Sequence, residues 1–244
     1  KNFELHAKIK QAGNNTGIQY RSREFPEVGK WSVGGYQCDI HPAAPNNGMV
    51  YGEKWGGILV QNGQSVVIDP DGKKWLTAKR EPVAVDIAEW HDYTIIAQGN
   101  HLVHKIDGQV TIDLLDFGAK TQLLEGILAF QLHRGPAMTV QIKDVMLKEL
   151  PDAPVPAFDK SLIANAKPAE KAAAKPKGKG KAKDEAKKPA EGAPVVGRSL
   201  TDLDGGEGNG EPRRIGQHVS GVGDQCEAAG EHPGHDLDHQ ECSR

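Results

Sequence analysis

Every Trp, Tyr and Phe of the 244-residue chain lies at or before Phe158. A segment without aromatics cannot bury enough apolar surface to offset the entropy of ordering it, so the hydrophobic core belongs to the N-terminal part. Cysteine is scarce too. Of Cys38, Cys226 and Cys242 only the first falls in that part, which excludes a disulfide framework and leaves Cys38 as a small buried apolar residue. Neither sign of charge prevails: 30 Lys and Arg face 33 Asp and Glu, and a net charge of −3 offers no broad attraction for nucleic acid. No apolar run reaches the length that crosses a bilayer, and no secretion leader stands at the start. The chain opens on "KNFELHAKIK", without Met and already inside an alternating pattern, and reads as an N-terminally truncated or processed domain. Phosphate loops, G-x-S-x-G elbows and CxxC pairs are also missing before residue 152.

What is there is a succession of short alternating apolar and polar runs separated by Gly, Asn, Pro and Asp, the mark of an all-β domain. In "FELHAKIK", Phe3, Leu5, Ala7 and Ile9 alternate with Glu4, His6, Lys8 and Lys10. Asn62-Gly63, Asp71-Gly72, Gly99-Asn100 and Asp107-Gly108 supply the positive-φ residues of tight turns. Only "REPVAVDIAEW" leaves room for a helical turn, and Pro82 speaks against it. Two packed antiparallel sheets are the economical architecture. The domain is expected at 1–152, a disordered Lys/Ala/Pro-rich linker at 153–191, and a disordered Gly/Asp/His-rich tail at 192–244. His232, His235, His239, Asp236, Asp238 and Cys242 gather in that tail with no core to preorganise them as metal ligands.

Strand side chains alternate between faces, so polar pairs at i and i+2 mark a wet face. Gln19 and Arg21 oppose Ile18 and Tyr20; Gln37 and Asp39 oppose Tyr36, Cys38 and Ile40; Gln131 and His133 oppose Phe130 and Leu132. Arg, Gln, Asp and His grip hydroxyls and carbonyls, so these pairs point to a sugar-binding floor, with a plain outer face as the alternative. Glu53 follows Tyr51 at period two, in a Gly-flanked loop whose Trp55 is a natural cleft rim. Asp39 and Glu53 are candidate carboxylates for acid–base work, and an exposed surface Glu is the plain alternative for the second. Trp31 and Trp90 are core anchors or sugar platforms, Trp90 favouring the core. His101 and His104 fall on opposite strand faces and read as surface or rim residues.

In order and spacing, "NTGIQYRS", "GGYQCDI", "GMVYGE", "EWHDYTIIAQGNHLVHKIDGQ" and "GILAFQLHRGPAMTVQIKDVMLKEL" resemble the 3-keto-disaccharide hydrolase domain family. The resemblance rests on Asn15, Thr16, Gly17, Ile18 and Arg21, on Gly35, Tyr36 and Ile40, on Gly48, Tyr51 and Gly52, and on Gly126, Gln131 and His133. It covers about residues 2–150 and none of the tail. It implies a concanavalin A-like, laminin-G-like jelly-roll β-sandwich of two antiparallel sheets, and a periplasmic or secreted location. In such a sandwich the strand "MTVQIKDVMLKEL" is expected to be left with an open edge. The implied activity is cleavage of glycosides whose sugar carries a ketone at C3. That ketone acidifies the C2 hydrogen, so a base expels the C1 substituent and water adds back. Asp39 or Glu53 is the implied base or acid, and Arg21 or a bound divalent cation the electrophile on the keto oxygen. His133, Gln131 and Gln37 are expected to orient the sugar, with Gln19, Tyr51 and Trp55 completing its contacts. Two other readings stay open: a non-catalytic lectin-like module, and an envelope interaction protein whose tail is a spacer.

Overall fold

The computed structural model describes residues 1–169 and the backbone of Arg198–Ser199 and Arg213–Arg214. The expected linker from residue 170 onward and the tail with its His cluster otherwise lie outside the described residues. The strands are β1 (Phe3–Ala12), β2 (Thr16–Glu24), β3 (Val33–Ile40), β4 (Val50–Glu53), β5 (Gly57–Val60), β6 (Gln64–Ile68), β7 (Lys74–Lys79) and β8 (His91–Gln98). They continue as β9 (His101–Ile106), β10 (Gln109–Asp116), β11 (Ile127–Leu132), β12 (Thr139–Glu149), β13 (Lys167–Pro168), β14 (Arg198–Ser199) and β15 (Arg213–Arg214). Helix is confined, among the described residues, to 3-10 turns at Ala44–Asn46 and Lys160–Ile163; "REPVAVDIAEW" forms none.

The strands form two sheets, as alternation demands. One runs β13-β7-β6-β10-β9-β8-β1-β12-β15, the other β14-β11-β2-β3-β4-β5. Pairing is antiparallel except between β6 and β10, which run parallel with Ile112 beside Gln64. That pair departs from a pure hairpin meander because β7 and the loop to β8 carry the chain across the sheet before it returns. Hairpins follow the turn chemistry: Asp107 and Gly108 both take positive φ between β9 and β10. β12 pairs with β1 along Phe3–Ala12 on one side. On the other, only β15 meets it, at Met146 and Leu147, so among the described residues most of that edge is open.

The core lies between the sheets, where Phe3, Leu5, Ile9 and Ile95 meet Ile18, Tyr20, Tyr36 and Ile40. Tyrosine hydroxyls tie the layers together. Tyr20 bonds His104 Nε2 at 2.8 Å, Tyr36 donates to Asp116 Oδ2 at 2.7 Å, and Tyr93 donates to Asn47 Oδ1 at 3.1 Å. His104 is therefore no rim residue but fully buried, its Nδ1 3.1 Å from the Gly48 carbonyl oxygen. Burial holds its pKa down at about 4 and keeps it neutral.

The boundary expected at residue 152 falls too early. Phe158 packs edge-to-face on Phe117 with ring centroids 5.3 Å apart, and Lys167 and Pro168 pair with Leu76 and Trp75 along the edge of β7. One aromatic and a sheet edge suffice to order a stretch that composition assigned to a linker. Among the described residues, no helix is long and apolar enough to cross a membrane.

Candidate functional site

On the face of the six-stranded sheet turned away from the core, register brings the polar pairs of four strands together. Gln19 of β2 lies opposite Gln37 of β3, and Gln37 opposite Tyr51 of β4. One step along, Gln131 of β11 lies opposite Gly17, and Gly17 opposite Asp39. Gly17 carries no side chain, so Gln37 lies flat across it: a Cβ there would meet Gln37 Cγ at 2.7 Å. In the sequence Gly17 stands out only as part of the family motif. A glycine inside a strand, marking a place where something passes close, was the signal for its role here.

The amides form a directed chain. Gln19 Nε2 donates to Gln37 Oε1 at 2.9 Å; Gln37 Nε2 donates to Asp39 Oδ1 at 2.5 Å and to Gln131 Oε1 at 3.3 Å. Gln19, Gln37 and Asp39 are only 2–4% exposed although they face away from the core. Two groups are left over. Gln19 Oε1 is buried with no partner, and Gln131 Nε2 has none among the described residues, so one acceptor and one donor are available to a ligand.

Asp39 is the titrating centre of this floor. Burial, offset in part by the Gln37 amide and reinforced by the Glu53 charge, pushes its carboxyl from 3.8 up to about 7. Tyr51 and Glu53 continue the face along β4, Glu53 opposite Gly35. Glu53 thus sits four residues along from Asp39, about 13 Å between backbones at ~3.3 Å per residue. It is half-exposed, with Lys54 Nζ at 3.9 Å. The two carboxyls share a face without forming a contact pair.

Other expected site residues lie elsewhere. Arg21 is 1% exposed and leaves the floor altogether. It stands in a β-bulge, where the pairing of β2 with β3 shifts between Tyr20 and Arg23 and its own φ is +46°. The extra residue breaks the alternation, and the guanidinium turns inward to donate to Gly99 O at 2.6 Å, Leu123 O at 3.0 Å, and Lys1 O and Asn2 Oδ1 at 3.3 Å. Trp55 turns to the core side and packs edge-to-face on Tyr36, centroids 5.5 Å apart, because it folds back over Gly52. His133 lies one residue beyond β11, exposed, its Nδ1 2.7 Å from Asn14 Nδ2 and from Arg134 O. Among the described residues no group of three or more His, Cys, Asp or Glu is placed to hold a metal ion.

The profile of the 3-keto-alpha-glucoside-1,2-lyase-like domain family matches residues 1–148. Similar solved structures include a candidate glycosyl hydrolase from Parabacteroides distasonis, 17% identical, with a TM-score of 0.39 over 62% of this chain and 72% of that one. A carbohydrate binding module from Bacillus subtilis is 15% identical, with a TM-score of 0.37 over 60% of this chain and 74% of that one. No curated protein matches the chain.

Proposed function

From a chain that belongs to the 3-keto-alpha-glucoside-1,2-lyase-like domain family, and so has a carbohydrate-related function, we propose an enzyme that cleaves 3-keto glycosides by elimination and hydration. The observation that carries this reading is Asp39, a buried carboxyl raised to about 7 at the end of an amide chain on the sheet face turned away from the core. A base working at neutral pH is best matched when its pKa lies near that pH. The ketone makes C2–H acidic, and Asp39 Oδ2, the oxygen not held by Gln37, takes it up. Gln131 Nε2, rather than the inward-turned Arg21, is the donor for the keto oxygen, and Gln19 Oε1 accepts from a ring hydroxyl. Charge grows on the keto oxygen only as the proton leaves, so a fixed donor there lowers the barrier selectively.

The full chain is expected to release the aglycone of a 3-keto-glucoside and to leave the parent glucoside intact. kcat/KM should rise with pH through about 7 as Asp39 ionises. Asp39→Asn should lower it by at least about 100-fold. Cleavage of the parent at an equal rate speaks against the elimination route.

A second reading, a carbohydrate-binding module without turnover, is favoured by the departure of Arg21, whose guanidinium is turned away from the floor to the Gly99 and Leu123 carbonyls. Binding of both sugars without release from either supports it.

A further inference from the structure

We infer that the Tyr51 hydroxyl is the proton donor to the leaving-group oxygen, an assignment that rests on the reading of this face as one that cleaves 3-keto glycosides. Elimination needs an acid as well as a base, because an alkoxide expelled from C1 is a poor leaving group unless protonated as it departs. Asp39, the base, must enter the step ionised and cannot be that acid. Of the proton carriers near it, His41, two residues along the chain, is engaged at Nδ1 by the Ala43 N–H at 2.9 Å, and among the others position decides. His133 lies beyond the end of β11, anchored at Asn14 and the Arg134 carbonyl. Glu53 is about 13 Å along the sheet by backbone spacing. Tyr51 lies between: it is opposite Gln37, two residues from the Asp39 row and two from Glu53 on its own strand. Its backbone is about 8 Å from that of Asp39, two residues along and one strand across. Its long, half-buried side chain makes no hydrogen bond through its hydroxyl among the described residues.

The chemistry suits that position. Burial and the negative Glu53 and Asp39 nearby raise the Tyr51 pKa, so the hydroxyl holds its proton at neutral pH. A carboxyl near 7 for the base and a phenol for the acid are titratable groups set apart by their surroundings, the arrangement that separates the two roles.

The cycle closes without another reagent. Asp39 takes the proton from C2, the C2–H electrons form the C1=C2 bond, and the C1–O1 bond breaks as Tyr51 gives its proton to O1. The alcohol leaves, with Asp39 protonated and Tyr51 a phenolate flanked by acidic neighbours. Water then adds at C1, giving its proton to Tyr51, while Asp39 returns its proton to C2. The sum is glycoside plus water to free 3-keto sugar plus alcohol, with both side chains restored.

The test is Tyr51→Phe in the full chain, which keeps the ring and removes only the proton. It is assayed on a 3-keto disaccharide and on a 3-keto nitrophenyl glucoside, whose leaving group departs without protonation. The expected result is a loss of about 100-fold in kcat on the disaccharide and less than about threefold on the nitrophenyl substrate. Exchange of C2–H for deuterium in the 3-keto sugar should persist in Tyr51→Phe and vanish in Asp39→Asn. Equal losses on both substrates, no loss on the disaccharide, or loss of exchange in Tyr51→Phe overturns the assignment while leaving the elimination reading intact. If the parent enzyme turns over neither substrate, that reading falls and this one with it.

Discussion

Burial of Asp39 gives the folded chain a proton that the unfolded chain has already released between about pH 4 and 7. Stability is therefore expected to fall as pH rises through that window, by on the order of 4 kcal/mol for three pK units. His104 acts in the opposite sense. Its folded pKa of about 4 lies below its ordinary 6.5, so its stabilising share is complete above 6.5 and is lost as pH falls toward 4. From about pH 4 to 6.5 the two slopes cancel, and the parent chain should show little dependence from either. Asn at position 39 still accepts from Gln37 but carries no charge. Asp39→Asn should therefore be more stable than the parent near pH 8 and lose stability as acid is added below 6.5, read from thermal midpoints at several pH values. A variant no more stable near pH 8 would mean that Asp39 is not desolvated as described. A base kept at a cost in stability is what an active site requires and a structural network does not.

At the scale of the element, the β2 bulge organises one end of the sandwich. Gly126 and Gly35 close on it from either side: Cβ atoms there would meet Arg21 C at 2.5 Å and Ser22 Cα at 2.6 Å, at φ of +145° and +156°. Gly126→Ala should cost at least about 2 kcal/mol and shift β11, and with it Gln131, so KM for the sugar rises as stability falls. Arg21→Ala should unfold at lower urea, at about 1–3 kcal/mol for each buried carbonyl left unpaired. An unchanged urea midpoint with turnover lost would return Arg21 to the chemistry. Alternation alone placed Gln19, Gln37, Asp39 and Gln131 on one face, because period two survives wherever the ladder is regular. It misplaced Arg21, since a bulge adds one residue and reverses every face beyond it. It misplaced Trp55 and His104 for a related reason: a turn can fold a side chain back over either face, and a histidine pairs with a tyrosine that only the opposite sheet supplies.

At the scale of the molecule, β1 binds together what lies far apart in sequence, pairing with β8 on one side and β12 on the other. Such non-local pairing predicts slow folding, in milliseconds to seconds, measurable by stopped-flow refolding of the full chain. The sandwich was legible because turn dipeptides and alternation are local signals. The parallel β6–β10 pair and the ordering of residues 153–169 were not, since each depends on a partner distant in the chain. Phe158→Ala should lower stability by about 1 kcal/mol through the lost Phe117 contact, whereas a substitution in a true linker would not register.

The most direct test of the account is aglycone release by the full chain from a 3-keto-glucoside beside its unoxidised parent, with Asp39→Asn measured in parallel. Release from the keto sugar alone, rising through about pH 7 and lost in the variant, is the predicted result. Release undiminished by Asp39→Asn, or binding of the keto sugar with no release at any pH, would contradict it.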